Sequence, residues 1–383
     1  MTASSPIEEL VILTPSYAPA IGGAAVYYPL LAEMLLDTGV AARVTVLTER
    51  HPGRSPVETA SQGRLTVRRV RPYRAGCPTR QRTRHLRYLL GDVTHAGLLR
   101  RSWAGRRTLL VHASLHYHPT LLDHVVRRLQ RRGDRPRLVA DVRDPLLPVR
   151  AFDRLAPYDA VIACGRRVTA HLAADPAVAA KLTEIPVPLV PVPPPADPDT
   201  TARRYGLRPD RDILWPHGVL RRKNLDLALA AIRELRAGEQ PDAALAIAGG
   251  ARDWDARLAE ERARGAARYL GPVAPADMPA LAAASAGVID IAASEGMPRA
   301  MLTAVAAGAR VLLPPGVPEF AACCPGHVAD TRSPAALAVQ LGRLRRGPWP
   351  AAPYPVDAHA AARVAPAYRT VLTPHPEVPP CAS

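Results

Sequence analysis

A chain of 383 residues exceeds what one hydrophobic core usually serves, so two domains are expected. Hydrophobic residues make up 48% and aromatics only 4%, which calls for aliphatic cores and excludes a disordered polymer. The net charge of +16 favours anionic partners such as phosphorylated metabolites, nucleic acid or an acidic membrane face.

The first apolar run, LVILTP, has the continuous character of a buried parallel strand. The next stretch, SYAPAIGGAAVYYPLLAEMLLDTG, is a loop with Pro and Gly that runs into a helix ending at Gly39. ARVTVLTE follows as a second strand, which completes a βαβ unit. The cations concentrate at residues 64–90, RLTVRRVRPYRAGCPTRQRTRHLRYLL. They form either a solvated basic face or a docking surface, and aromatics do not interleave as nucleic-acid binding would need. Further strands are expected at TLLVHAS, RLVADVRD and DAVIACG.

From Pro186 the text turns to PVPLVPVPPPADPDT, too rich in proline for an interior element, so a connector and domain boundary fall here. Strands then alternate with helices: DILWPHG, NLDLALAAIRELRAG, AALAIAGG, WDARLAEERARG, ARYLGPV, DMPALAAASAG, GVIDIAA, RAMLTAVAAG and ARVLLPPG. The expected fold class is α/β, two doubly wound parallel-sheet domains of Rossmann type. Domain bounds are set at 1–190 and 191–356, with a terminal helix at 357–373 and a disordered tail at 374–383. No apolar run reaches the ~18 residues of a membrane span. The start, MTASSPIEEL, lacks a basic leader. The five cysteines show neither CxxC nor metal spacing, so reduced thiols and a cytoplasmic setting are expected.

Three places could carry chemistry, all beyond the carboxyl ends of strands, where open α/β sheets bind ligands. Gly22 and Gly23 follow the first strand and would let backbone amides approach an anion, or simply make a tight turn. Arg221, Arg222 and Lys223 stand between a strand and an amphipathic helix, a place to grip a diphosphate. Only Lys181 and Lys223 are lysines in a chain that otherwise writes its cations as Arg, so a compact point charge is favoured at 223. In SEGMPRAMLTAVAAG, Glu295 occupies a strand-to-helix corner; it could hold sugar hydroxyls or only complement a helix dipole.

These motifs, in the order SYAPAIGG, PHGVLRRKN, LAIAGG, RYLGPV and SEGMPRAMLTAVAAGARVLLPPGVPEF, resemble those of the family 4 glycosyltransferases with the GT-B fold. The segment AHAAARVAPAYRTVL resembles their terminal helix, which packs back against the first domain. The resemblance implies an acceptor-binding first domain and a nucleotide-sugar-binding second one. It implies retaining transfer of a sugar from a nucleotide diphosphosugar to a hydroxyl, with no metal and no other cofactor. Gly22, Gly23, Arg221, Arg222 and Lys223 would face the donor diphosphate. Glu295, Gly296 and Met297 would face the sugar, with Gly249 and Gly250 near the base. The family places an Arg where this chain has Val219, and a second glutamate where it has Thr303. Threonine offers one short hydroxyl in place of a two-oxygen clasp on ribose, which suits a 2′-deoxyribose donor such as a dTDP-sugar. On the acceptor side, His112 or His116 would contact the reacting groups, with a structural histidine as the alternative; His118 lies beside them, and Asp144, with Asp141 as a further acid, would orient the acceptor or simply pair with Arg143. The acceptor would be a phosphorylated or other small molecule, in antibiotic or glycoconjugate synthesis; no nucleic acid is expected, and peripheral membrane contact stays open. Rival readings are a nucleotide-sugar epimerase of similar fold, an inactive homologue that only binds, and a basic docking protein.

Overall fold

In a computed structural model, the protein is described at residues 6–20, 22–70, 107–116, 121–131, 135–145, 147–189, 197–219, 223–238, 240–250 and 256–373. Two compact units emerge among these residues: the first takes in those up to Ala20, those within Ala24–Pro188 and those from Ala361, the second Gly22, Gly23 and those within Leu189–Ala360.

The first unit holds strands β1 (Ile7–Leu13), β2 (Ala41–Glu49), β3 (Val57–Ala60), β4 (Leu65–Val70), β5 (Arg107–His112), β6 (Arg137–Val142), β7 (Ala160–Ala163) and β8 (Leu182–Glu184). They form one sheet in the order β3-β4-β2-β1-β5-β6-β7-β8, parallel except for the β3–β4 hairpin. Leu10 to Leu13 and Leu109 to Val111 are buried, so the central strands read as unbroken apolar runs. The Ala361–Leu372 helix belongs to this unit. It is tied by Tyr368, whose hydroxyl shares a 2.7 Å hydrogen bond with that of Tyr27, and by the Leu372 carbonyl, which accepts from Thr108 Oγ1 at 2.8 Å.

The second unit holds β9 (Asp212–Trp215), β10 (Ala244–Ala248), β11 (Ala267–Gly271), β12 (Gly287–Ile289) and β13 (Val311–Leu312). Their order is β11-β10-β9-β12-β13, all parallel. Its core joins Ile213, Trp215, Ile247 and Ile289 to Ala228, Ile232, Leu337 and Leu341 from the covering helices. The doubly wound α/β expectation is met in both units.

Three local readings change. The strand expected through GVIDIAA stops at Ile289, because Asp290 Oδ1 accepts from Ala292 N at 3.0 Å and turns the chain. The helix expected through RAMLTAVAAG ends at Ala306, closed by Gly308 in the left-handed region at φ 71°. The basic stretch begins as strand β4, and Arg69 within it is buried, bonded to the Ala18 carbonyl at 2.8 Å and to Glu58 at 3.0 Å. That arginine is no part of a solvated face; residues 71–90 of the stretch lie outside the described residues.

Candidate functional site

In the second sheet the chain passes from β9 to β10 on one side, while β12 pairs with β9 on the other. The loops leaving β9 and β12 therefore diverge at a topological switch point, the ligand position of open α/β sheets. Both loops deliver charged side chains to it.

Lys223 comes from the β9 loop, directly before the Leu225–Ala237 helix. Its Nζ lies 2.8 Å from Glu295 Oε1 and 3.0 Å from Asp290 Oδ2, and its side chain is 4% exposed. An ammonium so buried would be strongly unfavourable without partners, and the two carboxylates supply them. Asn224 adopts a left-handed conformation with φ 60° and donates from Nδ2 to the Ile291 carbonyl at 3.2 Å, which fastens the β9 loop to the β12 loop. His217 Nε2 approaches Asp290 Oδ2 to 3.0 Å, off the line of a hydrogen bond. Burial would raise the Asp290 carboxyl, but neighbouring His217 and Lys223 outweigh it and hold the group far below the usual carboxylate range. Burial lowers the His217 imidazole, Asp290 opposes that, and Lys223 adds to it, leaving the ring neutral near pH 7. The cluster thus sets one formal positive charge against two negative ones.

The turn after β10 supports this loop from behind. Gly249, at φ +145°, packs so closely that a Cβ on it would lie 2.5 Å from Gly218 N; a Cβ on Gly218 would lie 2.7 Å from the Gly250 carbonyl oxygen. Val219 N donates to that oxygen at 3.1 Å, so backbone alone fills the contact. Gly296 is buried and Met297 half-buried in the β12 loop, while half-buried Thr303 stands on the Arg299–Ala306 helix. Arg221 and Arg222 lie outside the described residues.

The first unit repeats the topology, with β1 leading to β2 on one side and pairing with β5 on the other. Gly22 and Gly23, which group with the second unit, are exposed at the start of the Gly23–Asp37 helix, and a Cβ on either would meet nothing within 4 Å. His112 ends β5, and its Nδ1 lies 3.2 Å from both Thr14 Oγ1 and Ser114 Oγ. Burial, helped by the Arg143 charge, depresses its pKa from 6.5 to about 3, so the ring stays neutral. His112, Ser114, Arg143 and Asp144 line one small pocket. Beside it Arg143 stacks 3.7 Å from the Tyr27 ring centre and lies 3.6 Å from Asp141 Oδ1, while Tyr28 donates to Asp141 Oδ2 at 3.0 Å.

His112 and Asp144 are thus brought together, but the expectation for His116 is corrected. His116 is fully buried, and both ring nitrogens are taken, Nδ1 by Asp123 and Nε2 by the Tyr158 hydroxyl, each at 2.6 Å. It braces the turn after β5 and has no nitrogen left for a substrate. His118 lies outside the described residues. Sequence reasoning missed Asp290 and His217. The signal for Asp290 was present: a carboxylate inside the apolar run VIDIAA needs a buried partner.

Among the described residues no group of three His, Cys, Asp or Glu is arranged to hold a metal ion, and no helix is long and apolar enough to cross a membrane.

Residues 211–346, which span this cluster, match the family model described as glycosyl transferases group 1. No curated protein sequence matches the chain. Among solved structures, a UDP-forming α,α-trehalose-phosphate synthase from Burkholderia xenovorans in complex with glucose-6-phosphate superposes with TM-score 0.68 at 13% identity, over 95% of this chain and 98% of its own. Sucrose-phosphate synthase from Thermosynechococcus elongatus gives 0.66 at 17%, over 95% and 96%. Anabaena HepE in complex with UDP and glucose gives 0.62 at 14%, over 96% and 95%. The chain therefore has the two-domain GT-B fold of these glycosyltransferases, and its second unit carries the group 1 sequence pattern around the Lys223–Glu295 pair.

Proposed function

We propose that the protein is a glycosyltransferase that moves a sugar from a nucleotide diphosphosugar to a hydroxyl of a small-molecule or phosphorylated acceptor. The observation that carries this reading is the 2.8 Å pairing of Lys223 with Glu295 at the switch point of the second sheet. An ammonium and a carboxylate held side by side match the two ends of the donor, an anionic diphosphate and a polyhydroxylated ring. Structural neighbours with UDP and glucose, or with glucose-6-phosphate, are consistent with that pair of substrates.

The acceptor oxygen attacks the anomeric carbon as the bond from that carbon to the diphosphate oxygen breaks. The electron pair leaves with the nucleoside diphosphate, and the acceptor proton passes to the departing phosphate. Lys223 stabilises the charge that grows on the leaving group, an effect largest in the transition state. Glu295 accepts hydrogen bonds from sugar hydroxyls, with the amides of Gly296 and Met297 beside it. Gly22 and Gly23 leave open space at a helix N-terminus, where the diphosphate would find backbone donors. In the first unit, neutral His112 with Asp144 would orient the acceptor hydroxyl. This reading assigns the diphosphate to Lys223 and backbone amides, with no metal invoked.

Thr303 in place of an acid is the ground for a deoxyribose donor of dTDP type, as in antibiotic sugar transfer. The test is nucleoside diphosphate release from UDP- and dTDP-sugars with and without cell-extract acceptors. Acceptor-dependent release is expected, with Lys223→Met lowering kcat by about 10²–10³-fold, the usual loss for one charge-stabilising donor. Thr303→Glu should move preference from dTDP- towards UDP-sugars. Sugar isomerisation without acceptor, or release untouched by Lys223→Met, would overturn the reading.

A further inference from the structure

Lys223, Asp290 and His217 meet at a single atom. Asp290 Oδ2 is 3.0 Å from Lys223 Nζ and 3.0 Å from His217 Nε2, and the Asp290 side chain is fully buried. Its other oxygen is fixed by the Ala292 amide, so the carboxylate cannot swing away to follow either partner. The imidazole is equally constrained: it sits edge-on to Trp215, with ring centres 5.7 Å apart. Its Nε2 is buried and makes no hydrogen bond, although a carboxylate oxygen is within reach. Already 3.0 Å from Oδ2, this nitrogen would gain a charge-assisted interaction with the carboxylate on protonation.

Among the described residues, the ionisable groups facing His217 are Asp290 and Glu295 from the β12 loop and Lys223 from its own loop. Gly249 and Gly250, packed behind Gly218, carry no side chain that could add a charge. With the ring neutral, the cluster has one positive and two negative charges, a poor welcome for a diphosphate. Lys223 has three N–H donors, two of which face Asp290 and Glu295. A proton on His217 removes the net negative charge and competes for the oxygen that tethers Lys223. Both changes make the ammonium more available to an anion.

We infer that His217 and Asp290 are positioning residues for Lys223, and that proton uptake by His217 loosens the Asp290 tether and strengthens donor binding. This inference rests on the proposed function, since it needs a diphosphate at Lys223. By linkage, a bound diphosphate must favour the protonated ring by the same factor that the protonated ring favours the diphosphate.

The experiment is calorimetric binding of UDP-glucose and dTDP-glucose to the full chain between pH 5 and 8. Both probes are diphosphate diesters whose charge is constant over this range, so any slope belongs to the protein. Affinity should rise at least ~5-fold as pH falls, the low end of ordinary coupling between sites. The rise should come below the usual imidazole range, in keeping with the lowered His217 pKa. His217→Asn and Asp290→Asn should each flatten this profile, the latter while keeping a hydrogen-bond acceptor of the same shape beside Lys223. A second measurement needs no variant: the His217 ring signal, followed by NMR in the wild-type chain, should titrate at higher pH with probe bound. Flat or reversed binding in the wild type, a slope retained in His217→Asn, or a ring titration unmoved by the probe would overturn the inference and leave the proposed function standing. Failure of both probes to bind at every pH would remove the function and the inference together.

Discussion

Lysine occurs twice in this chain, and each ammonium meets a geometry that a planar guanidinium would not fill. Lys181 Nζ donates to the carbonyls of Leu155, Ala156 and Tyr158 at 3.0, 2.8 and 3.0 Å, closing one turn of backbone. Lys223 faces two carboxylates instead. Composition alone would have ranked the two equally, and only their neighbours separate a structural plug from a site residue. The histidines divide in the same way. His116 spends both nitrogens on the fold, whereas the Nδ1 of His112 is engaged and its ring lines a pocket. A neutral buried His112 has a measurable consequence. Its folded pKa of about 3 lies below the free value of 6.5, so the unfolded chain binds its proton first. Its contribution to stability is therefore complete above pH 6.5 and lost as pH falls towards 3. The greatest slope from one such group is about 1.4 kcal/mol per pH unit. Urea unfolding of the wild type and His112→Asn between pH 7 and 4 should show a shallower slope for the variant; equal slopes would mean the ring is charged or exposed.

The elements show how a strand end becomes a site. β9 and β12 are four and three residues long, and both deliver their loops to the same edge of the second sheet. The β12 loop turns on the Asp290 side chain, and the β9 loop leans on the Gly249–Gly250 turn. A Cβ on Gly218 would press on the Gly250 carbonyl oxygen at 2.7 Å, backbone against backbone, with no flexible side chain to yield. Gly218→Ala should therefore destabilise the protein by about 1–3 kcal/mol through forced backbone strain. Its urea midpoint should fall, and nucleotide-sugar affinity should fall with it as Lys223 moves. An unchanged midpoint would show that the turn gives way freely.

At the scale of the molecule, each sheet has a switch point between two adjacent parallel strands whose connections leave to opposite sides, β1 and β5 in one unit, β9 and β12 in the other. The clearest cation site among the described residues belongs to the second unit. A ligand that binds only the folded form stabilises it by mass action, about 2.7 kcal/mol at a hundred times its Kd. UDP or dTDP should accordingly raise the Tm of the wild-type chain, and raise that of Lys223→Met by less. A panel of both nucleotides in a thermal-shift assay checks this, and no shift with either would count against a nucleotide site. Unfolding of a chain with two units need not be two-state, so the first transition is the one to follow.

Much of the architecture was legible in the residues. Alternating apolar runs and amphipathic stretches specify strands and helices locally, which is why the βαβ unit and all nine second-half segments quoted above reappear as elements. Lys223 and Glu295 could also be named, because each breaks a local habit of the text: a lysine among arginines, an acid at an apolar corner. What tertiary structure decided was who meets whom. Residues 67 and 72 positions apart along the chain, Asp290 and Glu295, converge on Lys223 only because β12 pairs beside β9. The sequence left His116 open between an acceptor contact and a structural role, because burial and partnership depend on packing from Asp123 and Tyr158, which no nearest-neighbour pattern contains. Local sequence fixes the backbone's preferences within a few residues, whereas charge pairing is set by the three-dimensional distance at which Coulomb forces and hydrogen bonds act.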